Sequence, residues 1–156
     1  MTSSTIDNWL HDLKLARENQ DRLREAAALA NLGNVYAAMA QLVDAIQFHQ
    51  QALTIHRELS NNYAETIDLI SLGNAYADLG NGHQAITYYQ QAATALLKTG
   101  DSRRAGQALF YTALALNKIG EKSKAIEMAQ SAHRILLELN HPYAQKIANW
   151  LEQRRS

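Results

Sequence analysis

Asn34 and Asn74 stand forty residues apart inside a phrase that the chain states twice. The copies are Asn31-Leu32-Gly33-Asn34-Val35-Tyr36 and Ser71-Leu72-Gly73-Asn74-Ala75-Tyr76. A carboxamide sets a donor beside an acceptor, which matches the N–H and C=O of an extended peptide. Two of them one interval apart suit a strand-like ligand held by its backbone. A third copy, Tyr111-Thr112-Ala113-Leu114-Ala115-Leu116, has Leu114 at that place. Other chemistry is sparse. There is no cysteine, which excludes disulfides, thiolate metal sites and a cysteine nucleophile. The histidines are His11, His49, His56, His83, His133 and His141, and no HExxH pattern occurs. His49 and His56 lie two helical turns apart, too far to share a metal without a third element, so their placement reads as incidental. Gly80-Asn81-Gly82 reads as a helix–helix turn and not as a phosphate loop. No catalytic residue, metal or cofactor is expected, and the chain is not expected to be an enzyme.

The elements that position the two asparagines are set by the same interval. Over residues 21–60 and 61–100, thirteen of forty positions are identical without a gap, among them Glu25/Glu65, Leu29/Leu69, Ala45/Ala85 and Ala52/Ala92. Residues 101–140 keep the frame more loosely. Within the first unit Leu29, Leu32, Tyr36 and Met39 recur at helical steps, so they are the expected core face of a first helix. Ala45, Ile46, His49, Ala52, Leu53 and Ile55 mark a second. The breaks are Ala40-Gln41, Gly80-Asn81-Gly82 and Gly120-Glu121, with Ser60-Asn61-Asn62, Gly100-Asp101-Ser102 and Asn140-His141-Pro142 between units. Gly80-Asn81-Gly82 and Gly120-Glu121 supply left-handed backbone, and Asn62 with Glu65 resembles a capping box. Gly33 and Gly73 cost roughly 1 kcal/mol each inside a helix, which predicts close approach of a partner helix. Tyr36 and Tyr76 are expected to wedge between units. The whole reads as eight antiparallel helices: repeats at 21–60, 61–100 and 101–140, with capping helices at 1–20 and 141–156. The chain reads as complete.

The small and large residues Leu32-Gly33, Tyr36, Ala45 and Ala52, repeated as Leu72-Gly73, Tyr76, Ala85 and Ala92, resemble the tetratricopeptide repeat (TPR). The forty-residue period is similar to the kinesin-light-chain-like variant. The resemblance implies an all-α, right-handed superhelical solenoid whose concave face, lined by the first helix of each pair, holds a peptide or a partner's helix. It also implies a scaffold or adaptor with no enzymatic activity.

On that face the expected peptide-binding residues are Asn31 and Asn34, then Ile70, Asn74 and Asp78, then Gln107, Phe110, Tyr111, Leu114, Asn117 and Lys118. Similar long TPRs bind ligand backbone through asparagines at the positions of Asn34 and Asn74. Phe110, Tyr111 and Leu114 form either a side-chain pocket or an apolar layer under the last helix. The cations of a chaperone-type carboxylate clamp are missing at Ala30, Ser71, Gln107 and Tyr111.

Net charge is zero, yet residues 1–100 hold 6 Lys/Arg against 10 Asp/Glu and residues 101–156 hold 9 against 5. That asymmetry allows a homo-oligomer through the end helices, the alternative to a peptide-binding adaptor. No dense basic face suggests nucleic acid. No apolar stretch suggests a membrane span, and no signal segment opens the chain, so a cytoplasmic protein is expected. Trp150 is expected to pack on the preceding helix.

Overall fold

The computed structural model describes residues 2–154. Met1, Arg155 and Ser156, which bound the expected capping segments, lie outside them. Among the described residues there are eight helices and no strand. They fall into two compact units, Met1–Leu79 and Gly80–Ser156. The first contains α1 (Thr2–Glu18), α2 (Arg22–Ala38), α3 (Leu42–Glu58) and α4 (Asn62–Asp78). The second contains α5 (Gly82–Thr99), α6 (Ser102–Lys118), α7 (Lys122–Glu138) and α8 (Tyr143–Glu152). Within each unit successive helices pack on one another, and α2 also touches α4.

The turns follow from local chemistry. Asp21, Asn61 and Asp101 hold the same place in each forty-residue unit, and each side chain accepts a backbone N–H, from Arg24 (3.0 Å), Ala64 (3.2 Å) and Arg104 (3.0 Å). Each bond satisfies one of the free donors at a helix start. The expected box on Asn62 is therefore displaced by one residue. Glu65 turns instead to Arg57, at 2.8 Å, so it leaves the reciprocal bond unmade. Gly80 and Gly120 take left-handed backbone as anticipated, and so do Gly100 and the non-glycine residues Gln20, Ala40, Ser60 and Asn140, these four with φ of 51 to 58°. For the non-glycine residues this conformation costs about 1–2 kcal/mol each.

In unit 1 the core gathers Leu13, Leu29, Leu32, Ala52 and Ile55. In unit 2 it gathers Phe110, Ala129, Leu136 and Ile147. Met39, expected in the core, is exposed, because it is the C-cap of α2 and turns outward with the chain. Tyr36, expected to wedge between units, stacks on Phe48 of its own repeat at 5.1 Å. Glu25 receives Arg17 at 3.0 Å and Arg22 at 2.6 Å. Burial pushes its carboxyl up, but the two guanidinium bonds outweigh that and hold it below the ordinary carboxylate range.

Gly33 has a specific reason. A Cβ there would lie 2.7 Å from the ring of His49, so the glycine admits an imidazole from α3. The third repeat has Ala113 and Ala129 at the matching places, a reciprocal exchange of volume. Gly33→Ala is therefore expected to destabilise by about 1–3 kcal/mol through overpacking. In a His49→Ala background the same change should stabilise by up to ~1 kcal/mol through helix propensity. Urea unfolding of the four proteins reads the sign reversal.

Candidate functional site

The expected ligand-facing residues lie on the first helices of the repeats, and each unit carries its own set. In unit 1, α2 presents Asn34 to solvent and α4 presents Asn74 and Asp78, while Asn31 and Ile70 are half-buried beside them. Asn31 is engaged within its own helix, its carboxamide donating to Ala27 O at 2.9 Å. Asn34 and Asn74 occupy the same turn of two helices that touch.

In unit 2 the set lies on α6. Leu114 and Lys118 are exposed, and Gln107, Tyr111 and Asn117 are half-buried. Phe110 is corrected. It is 1% exposed and meets Tyr143 and Trp150 edge-on, with ring centroids 5.8 Å away in both cases. Phe110 thus packs in an apolar layer under the last helix. Burial, reinforced by Tyr143, raises the Tyr111 phenol above its ordinary range despite Lys146. At the edge of this layer Phe110, Leu114, Lys146, Asn149, Trp150 and Gln153 line an open cavity of about 480 Å³. Arg154 lies 3.9 Å over the Trp150 ring and donates to Asn117 Oδ1 at 3.3 Å. These residues of α8 and of the turn after it were not among those expected. Their signal was present, since Lys146, Trp150 and Arg154 stand at four-residue steps on one helical face.

The histidines are also corrected. His49 and His56 on α3 are buried, and α4 supplies the third element, Asp68, itself 1% exposed. His56 Nδ1 meets Asp68 Oδ2 at 2.6 Å, and His49 Nδ1 stands 3.7 Å from Oδ1 with no hydrogen-bond partner. At the places of His56 and Asp68, unit 2 has Leu96, Leu136 and Ala108. A polar cluster thus replaces apolar core in one unit alone. Among the described residues no group of three His, Cys, Asp or Glu has the arrangement of a metal site.

Two family models described as tetratricopeptide repeat match the sequence, at residues 26–65 and 63–138. The chain belongs to the tetratricopeptide repeat family. Solved TPR structures resemble it over nearly its whole length. A signal transduction ATPase with numerous domains from Pyrococcus horikoshii, which carries a TPR sensor, is 25% identical with a TM-score of 0.83, over 97% of this chain and 24% of that one. Aspartyl phosphate phosphatase F from Bacillus subtilis is 16% identical with a TM-score of 0.86, over 97% of this chain and 40% of that one. A kinesin-light-chain TPR-like repeat protein from Podospora anserina is 17% identical with a TM-score of 0.82, over 97% of this chain and 76% of that one. This TPR chain thus spans about a quarter of the first and two fifths of the second. No curated protein matches it. The TPR fold supports a protein–protein interaction role in general. No helix among the described residues is long and apolar enough to cross a membrane.

Proposed function

We propose that this TPR chain is an adaptor that binds a peptide segment of a partner protein along the exposed faces of its first helices. The observation that carries the reading is the pair Asn34 and Asn74, exposed at one register on neighbouring helices of unit 1. Their carboxamides bond the ligand backbone, while apolar ligand side chains supply most of the affinity. Leu114 in the third repeat marks a change from backbone bonding to side-chain contact. Asp78 and Lys118 give the two faces opposite charges. Asn74→Ala is expected to weaken a captured partner by about 1–3 kcal/mol, because a buried ligand amide loses its partner. Partners are captured from the native host with wild type and with the Asn34/Asn74 double alanine variant, identified by mass spectrometry, and remeasured by calorimetry. Equal affinity of both proteins for the captured partner would overturn the asparagine mechanism.

A further inference from the structure

A second site lies between α1 and the start of α2. Repeat register shows what this space is. Inside unit 1, α2 packs on α3, and Leu29 and Leu32 of α2 share a core with Ala52 and Ile55 of α3. The residues of α1 in register with Ala52 and Ile55 are Asp12 and Leu15. The space in front of α1 is therefore shaped as the seat of a first-type helix. In the structure it is an open cavity of about 370 Å³ lined by Trp9, Asp12, Leu15, Asn19, Asp21 and Arg24 over a floor of small alanines. Leu15 is 41% exposed where Ile55 is 3% exposed.

The charge in this seat is specific. Ala52, Ala92 and Ala132 are all fully buried, and only here does a carboxylate, Asp12, take that position. An apolar helix of the repeat type would strip Asp12 of water and leave its charge unpaired. The cations nearby have carboxylate partners of their own. Lys14 pairs with Glu18, Arg17 with Glu25, Arg22 with Glu25 and Glu58, Arg24 with Asp21 at 3.4 Å, and Arg57 with Glu65. These are all the Lys and Arg of unit 1, set against ten Asp and Glu. None of these pairs includes Asp12.

We propose that the α1–α2 seat docks an amphipathic helix of a partner protein, which lies where a first-type helix lies in the repeats and sets a Lys or Arg side chain against Asp12. Trp9 and Leu15 receive its apolar side. The indole adds attraction for the incoming cation, and Asn19, whose Nδ2 is spent on Leu15 O at 2.8 Å, offers its carbonyl oxygen.

The probe is a blocked 17-residue peptide with the α2 sequence, Arg22 to Ala38, in three forms: unchanged, Leu29→Lys and Leu29→Glu. Binding to the 156-residue chain is followed by the indole N–H resonance of Trp9. The Lys form is expected to bind at least tenfold more tightly than the Glu form at low salt, with a preference that shrinks as salt rises. Asp12→Asn should remove most of that preference. Asp12→Ala, which restores the residue of the repeats, should make the unchanged peptide the tightest ligand. Both variants are checked for wild-type unfolding midpoints. Equal binding of the Lys and Glu forms, no binding of either, or a preference untouched by Asp12→Asn overturns the proposal. So does a dimer of the chain that the peptide dissociates, since the seat then belongs to a second copy.

Discussion

Asp68→Ala is expected to lower the unfolding free energy of unit 1 by about 1–3 kcal/mol, the cost of leaving a buried polar group without its hydrogen-bond partner. Removal strands the Nδ1 of His56, which now bonds Asp68 at 2.6 Å, inside a closed core. It also leaves His49 Nδ1 without the carboxylate that faces it at 3.7 Å. The repeat suggests the compensation. His56→Leu combined with Asp68→Ala recreates the residues found at positions 96, 136 and 108. That double variant should regain most of the loss, because replacing both partners of a buried hydrogen bond by apolar groups of similar shape can be nearly neutral or stabilising. Guanidinium unfolding of the two single variants and the double closes a cycle. Additive losses would show that His56 and Asp68 are not coupled.

Phe110→Ala is expected to cost about 3–5 kcal/mol, the usual cost of truncating a buried aromatic. The ring is closed in by Tyr143 and Trp150 of α8, and α8 is only ten residues long. Its attachment therefore depends on this contact, and its amides should exchange with solvent faster in the variant. Leu114→Ala, one turn on and 38% exposed, should change stability by no more than about 0.5 kcal/mol. Hydrogen exchange and thermal unfolding of the two variants separate the layer that holds α8 from the surface that remains for a ligand. A small loss for Phe110→Ala would return that ring to the list of ligand contacts.

Much of this was legible beforehand for a physical reason. Helical periodicity, turn residues and a fixed interval are local properties, and they located eight helices and their breaks to within a few residues. Leu32, Leu72, Ala45, Ala52 and Ala92 are buried as their spacing required. The errors have a common cause. Asn61, not Asn62, caps α4 because a side-chain oxygen must reach a particular backbone N–H, and register alone does not resolve one residue. Met39 kept the helical step of the core face but fell on a cap, where the chain turns.

The candidate site divides in the same way. The exposure of Asn34, Asn74 and Leu114 followed from helical phase. The burial of Phe110 did not, since its neighbours on α6 give no account of what α8 covers. Lys146, Trp150 and Arg154 were equally visible as a stripe, but a stripe does not say which helix it faces.

The sequence by itself determined the repeat, the helices and the two asparagines at one register, because each is written in short-range spacing. Only the tertiary structure decided what meets across helices. It set His49 into the space of Gly33, drew Asp68 between two histidines, and closed α8 over Phe110. Those contacts depend on the distance and rotation between packed helices. A change of an ångström there separates a bond from a gap, and no periodicity in one strand of sequence encodes it.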